Sequence, residues 1–369
     1  MREVEEKAVR AYGEKFGEKP EIVASAPGRI NLIGEHTDYN GGFVLPCAID
    51  RRVAVAAGRD GEELYSADFK ESRPLEGRDS SWADYPRGVV WALGEAGYEA
   101  GHFRAAFAGD VPLGAGLSSS AAIEAATILA LDGLLGLDLD LKDAALLCRK
   151  AENGFVGVGS GILDQYASLM CERGAALFID CRSLEARPVP LDLGKAGLSL
   201  LVCDTNIRRG LATTGYNDRR KTCESAAKSL GVEELRDAGP EDLDLLSGEE
   251  LKRARHVVLE NERVLEAVSA LEAEDFAAFG GLMFDSHASM RDDYEISTAA
   301  HDAFVELAKD AGALGARLTG GGFGGCAISL VPVASVKTLV QAAGSSFAES
   351  GFERPDFYEF SPASGARVV

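Results

Sequence analysis

Apolar residues recur along this chain at two periods, and the switches between them mark its elements. Val4, Ala8, Val9, Tyr12 and Phe16 fall at helical spacing and predict a short amphipathic helix over 2–16. Strand-like runs follow at 22–26, 43–57, 63–68 and 102–110, with a helix over 82–96 after Ser81. A turn at 114–119 leads into an Ala/Leu-rich helix over 120–135, and further helices are predicted over 141–153 and 162–171. Strands at 175–181, 185–191 and 198–204 come next. The second half is richer in helix, at 215–230, 249–272, 275–290 and 298–311, with strands at 326–331 and 356–360. Taken alone, this alternation predicts a parallel, doubly wound sheet.

Size and charge narrow the field. A chain of 369 residues, 46% hydrophobic and 26% charged, supports a large core and two domains. A formal net charge of -21 repels nucleic acid and anionic membrane, so neither is expected as a partner. The seven cysteines are scattered and form no C-x-x-C pair, which argues against a disulfide framework or a zinc site and fits a reducing cytosol. The charged start, Met1-Arg-Glu-Val-Glu-Glu-Lys, has no apolar core of a signal segment, and no run approaches the length that spans a bilayer. A cytoplasmic protein is expected.

The most informative stretch is Gly28 to Tyr39, G-R-I-N-L-I-G-E-H-T-D-Y. Arg29, Asn31, Glu35, His36, Asp38 and Tyr39 crowd into twelve positions. Any one of them reads as a solvated loop residue. Together they suit a small polyhydroxylated ligand, since carboxylates and imidazole accept hydroxyl protons and a guanidinium donates. A second constellation is Pro112-Leu-Gly-Ala-Gly-Leu-Ser-Ser-Ser-Ala-Ala122. Small residues let backbone amides approach a phosphate, and the unpaired amides at a helix start favour anions. One serine would be a plain N-cap, but G-x-G-x-S-S-S ahead of a long helix exceeds what a cap requires. The segment is not a P-loop, because no Lys follows Gly116. It nearly fits a dinucleotide pattern but lacks the second strand of a βαβ unit. Gly320–Gly325 fits that pattern too, yet leads into Cys326-Ala-Ile-Ser-Leu-Val331, which reads as strand. Asp164, in Gly159-Ser-Gly-Ile-Leu-Asp-Gln165, sits at a helix start where an acid often only offsets the dipole, and Glu152 reads by itself as a surface charge.

The first string closely resembles the galactokinase signature of the GHMP sugar and metabolite kinases. The serine loop, the Asp164 segment, Thr213-Thr-Gly-Tyr-Asn-Asp-Arg-Arg220 and Arg317-Leu-Thr-Gly-Gly-Gly-Phe-Gly-Gly325 follow in that family's order, so the resemblance spans the chain. It implies an α+β chain with the two-domain GHMP kinase fold, mixed β-sheets and an active site in the interdomain cleft. Pro188 and Pro190 mark where to divide it, giving domains 1–185 and 186–369, with the last strand able to pack back on the first. One departure is Ser160, where several relatives carry Cys.

The same resemblance implies ATP-dependent phosphorylation of a hexose, D-galactose at its anomeric hydroxyl. Asp164 would be the catalytic base, with Arg29 stabilising the transferring group. Arg29, Glu35, His36, Thr37, Asp38, Gly161, Asp164 and Tyr216 would bind the sugar. Gly114, Ala115, Gly116, Leu117, Ser118, Ser119 and Ser120 would cradle the phosphates, with Ser66 and Trp82 near the nucleotide base. Ser120 and Glu152 would hold Mg²⁺. ATP, Mg²⁺ and a small sugar are the expected ligands, and a monomer is the expected state. Competing readings are a kinase for N-acetylgalactosamine or arabinose, a non-catalytic sugar sensor, and a NAD-binding oxidoreductase.

Overall fold

The computed structural model describes residues 1–208 and 212–369. Thirteen strands are placed among them: β1 (Ile22–Asn31), β2 (Phe43–Val44), β3 (Pro46–Arg59), β4 (Glu63–Ser66), β5 (Glu71–Pro74), β6 (Phe103–Gly109), β7 (Ala175–Asp180), β8 (Glu185–Pro190), β9 (Leu198–Asp204), β10 (Gly315–Leu318), β11 (Cys326–Pro332), β12 (Asp356–Phe360) and β13 (Arg367–Val368). The helices are α1 (Glu3–Phe16), α2 (Asp84–Glu95), α3 (Ser119–Leu135), α4 (Leu141–Lys150), α5 (Leu163–Met170), α6 (Leu193–Ala196), α7 (Ala212–Leu230), α8 (Gly248–Glu272), α9 (Phe276–Asp292), α10 (Ala299–Asp310) and α11 (Val336–Glu349).

The strands form three sheets, in the orders β13-β1-β3-β6-β4-β5, β10-β11-β9-β12 and β2-β7-β8. Every pairing is antiparallel except β4 with β6. This overturns the doubly wound parallel sheet that alternation alone suggests. The β4–β5, β7–β8 and β10–β11 links are too short for the crossover that parallel neighbours need. The mixed-sheet α+β architecture stands. The expected division after residue 185 runs through the β7–β8 ladder, in which Asp180 pairs with Glu185 and Ala175 with Pro190. That hairpin pairs with β2 and stays with the first part, so the chain enters the second sheet only at Leu198.

Period-two alternation decides which face each strand residue serves. Ala54, Ala56, Ala106 and Ala108 bury one face of the first sheet against Val4, Ala8, Ala11 and Tyr12 of α1. Val53, Val55, Ala57, Ala105 and Phe107 turn to the other face and the main core. There α3 lies, apolar nearly all round and buried along most of its length, as a helix enclosed on all sides must be. In the second sheet Leu201, Cys203, Ala327 and Val331 pack with Phe304 of α10 and Leu339 and Phe347 of α11. Their neighbours Leu200, Val202, Ile328 and Leu330 join the same core as α3. The two halves therefore share one continuous apolar interior, with the polar loops gathered in the cleft between them. No helix among the described residues is long and apolar enough to cross a membrane.

Candidate active site

The cleft holds a cavity of about 470 Å³, within the range of small-molecule sites. One wall is the glycine–serine loop. Gly114 and Gly116 adopt left-handed backbone, at φ 74° and 79°, and Ser118 follows at φ 57° just before α3 begins. Glycine takes that conformation without the Cβ penalty. The loop is pressed against β1: the Arg29 amide donates to the Leu117 carbonyl at 3.1 Å. A Cβ at Gly28 would lie 2.4 Å from that oxygen, so the approach requires glycine there.

This contact delivers Arg29 to Asp164 at the start of α5. The guanidinium donates through Nε and Nη2 to the two carboxylate oxygens at 2.6 and 2.8 Å, and through Nη1 to the Gly116 carbonyl at 2.8 Å. The Ser118 hydroxyl donates to Asp164 Oδ2 at 2.5 Å. A forked, charge-assisted pair of this kind fixes direction as well as charge. Arg29 is the only cationic side chain among the described residues that line the cavity.

The opposite wall is the loop after β1. His36 takes left-handed backbone, at φ 62°, and its Nδ1 lies 2.7 Å from the Tyr39 hydroxyl, which lies 2.8 Å from that of Tyr294. The Tyr216 ring stands 5.0 Å from the imidazole. Burial first, and then the negative charge of Asp164, pushes Asp38 up to about 6. A Cβ at Gly161 would fall 1.8 Å from Asp38 Oδ2, so that glycine clears the space for the carboxylate. Glu35 reaches the cavity, but its acceptors are occupied. Oε1 takes the Gly320 amide at 2.9 Å and the Thr319 hydroxyl at 3.3 Å, while Oε2 takes the Asn31 amide at 2.9 Å and Arg317.

Glu152 lies on a π-turn over Ala151–Val156 that continues α4. Its Oε2 accepts from the Ser160 hydroxyl at 2.5 Å and from Gln165 Nε2 at 2.9 Å, and the Ser120 hydroxyl also bonds it. Burial first, together with the charge of Asp164, raises its carboxyl above the usual range. No group of three or more His, Cys, Asp or Glu side chains able to hold a metal occurs among the described residues. One carboxylate beside one hydroxyl fits instead an ion that draws most of its shell from water and phosphate oxygens, as Mg²⁺ does.

The structure thus gathers Arg29, Glu35, His36, Asp38, Gly114, Gly116, Leu117, Ser118, Ser119, Ser120, Glu152, Gly161, Asp164 and Tyr216 around one cavity. Four expected residues lie off it. Thr37 is fully buried with its hydroxyl 2.9 and 2.7 Å from the carbonyls of Gly34 and Phe43. Ala115 is buried, and its carbonyl accepts from Cys326 Sγ at 3.0 Å. Ser66 is buried on β4 and accepts from the Phe69 amide. Trp82 donates to Glu71 and packs edge-on against Phe107. Tyr85 and Asn217 line the cavity without having been singled out. Asn217 lies in the Thr213–Arg220 string, of which Tyr216 alone was nominated, and Tyr85 lies on α2, outside the strings that marked the other members.

The chain matches three family models: the galactokinase galactose-binding signature over residues 10–59, the GHMP kinases N terminal domain over 84–172, and the GHMP kinases C terminal over 267–349. It is 46% identical to a galactokinase of Streptomyces coelicolor, covering 96% of each chain. It is 42% identical to a galactokinase of Bos taurus, covering 98% of this chain and 96% of that one. A crystal structure of Lactococcus lactis galactokinase complexed with galactose superposes with a TM-score of 0.93 at 36% identity, covering 98% of both. The Methanococcus jannaschii mevalonate kinase, at 20% identity and a TM-score of 0.67, shares the fold. With a specific signature, close relatives over nearly its full length and one cleft that joins the matching loops, the chain belongs to the galactokinase family of the GHMP kinases.

Proposed function

We propose that this protein transfers the γ-phosphoryl group of ATP to the anomeric C1 hydroxyl of D-galactose, giving galactose 1-phosphate and ADP. The single observation that carries the residue roles is the placing of Asp164. Its carboxylate, gripped by Arg29, stands between the glycine–serine loop and the Glu35–Asp38 loop on one cavity. Phosphoryl transfer asks mainly for positioning and for neutralising charge. The amides of 114–120 and the hydroxyl of Ser119 receive the phosphates. Ser120 and Glu152 would hold Mg²⁺, which when bound offsets charge on the β- and γ-phosphates.

Asp164 orients the attacking hydroxyl and accepts its proton, and an anomeric hydroxyl is acidic enough for a carboxylate to serve. Arg29 fixes the direction of the Asp164 carboxylate through its fork and presents positive charge where the transferring group passes. His36, Asp38 and Tyr216 take sugar hydroxyls. Glu35, with its acceptors occupied, holds the loop in shape. We place the reaction in the cytosol and assign it to a monomer; among the described residues none of the seven cysteines forms a disulfide, which fits a reducing compartment.

The test is ADP release by the purified protein with ATP and Mg²⁺ across galactose, N-acetylgalactosamine, arabinose and glucose, with the product read by phosphorus NMR. Galactose is expected to give the highest kcat/KM and a phosphate on C1. A higher kcat/KM for another sugar, or a phosphate on another carbon, overturns the substrate assignment.

A further inference from the structure

Beneath the cavity floor, behind the residues that face ligand, α3 carries one fully buried carboxylate on a mostly apolar surface. Glu124 is fully buried, five residues after the helix begins. Fully buried Gln165, next in sequence to Asp164, spans from it to Glu152. The Gln165 amide nitrogen lies 3.2 Å from Glu124 Oε2 and 2.9 Å from Glu152 Oε2. An NH₂ group has two hydrogens, and two carboxylate acceptors use both. Burying a carboxylate that binds nothing outside the protein is expensive, so its retention at the base of a phosphate-loop helix calls for a role. The π-turn that swings Glu152 inward is itself a rare geometry that recurs at functional sites.

We propose that Gln165 and Glu124 are positioning residues for the metal carboxylate: Glu124 anchors the Gln165 amide, and Gln165 sets the direction of Glu152 towards the ion carried by the nucleotide. One side chain thereby couples the three elements that supply the chemistry. These are α3 with the phosphate loop, the π-turn with Glu152, and α5 with Asp164. This rests on the assignment of Glu152 to the metal, so the test separates the two.

Mn²⁺ binding to the protein–ATP complex is measured by EPR without sugar, in wild type and in Gln165→Met, Glu124→Gln and Glu152→Gln. Gln165→Met keeps the side-chain volume and removes both donors. It is expected to weaken Mn²⁺ roughly tenfold, as loss of a partner behind a metal ligand does, with galactose KM within twofold of wild type. Glu124→Gln keeps shape and acceptor and is expected to stay within about threefold. Unchanged Mn²⁺ affinity in Gln165→Met, with Glu152→Gln weakened, sinks this inference alone. Unchanged affinity in Glu152→Gln sinks the metal assignment as well. Should Gln165→Met not fold, a Glu124→Leu variant is measured instead; a weakening of at least threefold supports the anchor, and no change removes it.

Discussion

A group that accepts a proton in a crowded polar pocket must be held in one direction and still be able to meet its substrate. Asp164 meets both demands, because Arg29 supplies charge through a fork while Ser118 contributes one neutral, replaceable donor. Asp164→Asn keeps the shape and loses the base. It is expected to lower kcat about 10²- to 10⁴-fold, with ATP binding retained by calorimetry. Near-normal turnover would remove Asp164 from the mechanism.

Asp38 adds a pH signature. Burial, followed by Asp164, raises it from 3.8 to about 6. Well below pH 3.8 the group is protonated in both folded and unfolded chains and leaves stability unchanged. Between these two values the unfolded chain ionises first, so stability falls as pH rises; above 6 the folded chain bears the whole penalty, on the order of 1–3 kcal/mol. Asp38→Asn is therefore expected to melt at a higher temperature than wild type at pH 7, with the gap closing towards pH 4. Since the ionised form is the better acceptor for sugar hydroxyls, galactose KM should rise as pH drops below about 6 and lose that dependence in Asp38→Asn. A variant that melts lower than wild type at pH 7 contradicts the argument.

Among the elements, those with a clear amphipathic or apolar stripe were legible in the sequence, and the exceptions have physical causes. The first strand is expected to end at residue 26, ahead of Pro27-Gly28. The structure absorbs the pair as a register shift between Pro27 and Arg29 and carries β1 on to Asn31. Only that continuation brings Arg29 into the cavity. The helix expected over 141–153 gives way to a π-turn after Lys150, which no periodicity signals. The strands β5, β10 and β13 are too short to show alternation, whereas α11, whose buried Val336, Leu339, Ala343 and Phe347 recur at helical spacing, was readable and is not among the elements predicted.

The cleft loops were readable because charged and small residues cluster there in sequence. Glu124 and Gln165 were not, since what marks them is a partner on another element. At this scale Gly28→Ala tests the seating of the phosphate loop on β1. The added methyl collides with the Leu117 carbonyl, and overpacking of this kind typically costs about 1–3 kcal/mol. A lower melting temperature and a raised KM for ATP, with galactose KM little changed, are the expected outcomes. A normal KM for ATP would mean that the loop is positioned otherwise.

Across the whole molecule the two halves are held by more than their shared core. β13 lays an edge on the first sheet, with Ala24 opposite Val368. Buried Arg52 donates to the carbonyls of Ser364 and Gly365, and Arg367 bonds Glu5 at 2.8 Å. Removing residues 364–369 would leave Arg52 without those acceptors. Arg52 would keep its bonds to Ser25, and a buried donor left unsatisfied costs about 1–3 kcal/mol. The truncated chain is expected to melt well below the intact one while keeping the same ligand affinities when folded. An unchanged melting temperature would show that the strand merely rests there. The mixed sheets and the single cleft followed from the family resemblance, whereas hydrophobic alternation alone pointed to the wrong topology. Periodicity reports whether an element is half-buried and is silent on which neighbour it pairs with.

The buried pairing of Glu35 with Arg317 bears on how the protein is made. Translation delivers the acid long before the guanidinium, because 282 positions separate them. A nascent chain released from the ribosome after its first half would have to close the sugar loop over an uncompensated carboxylate. That half is expected to remain unable to hold galactose until the remainder is supplied, and adding residues 198–369 in trans should restore binding.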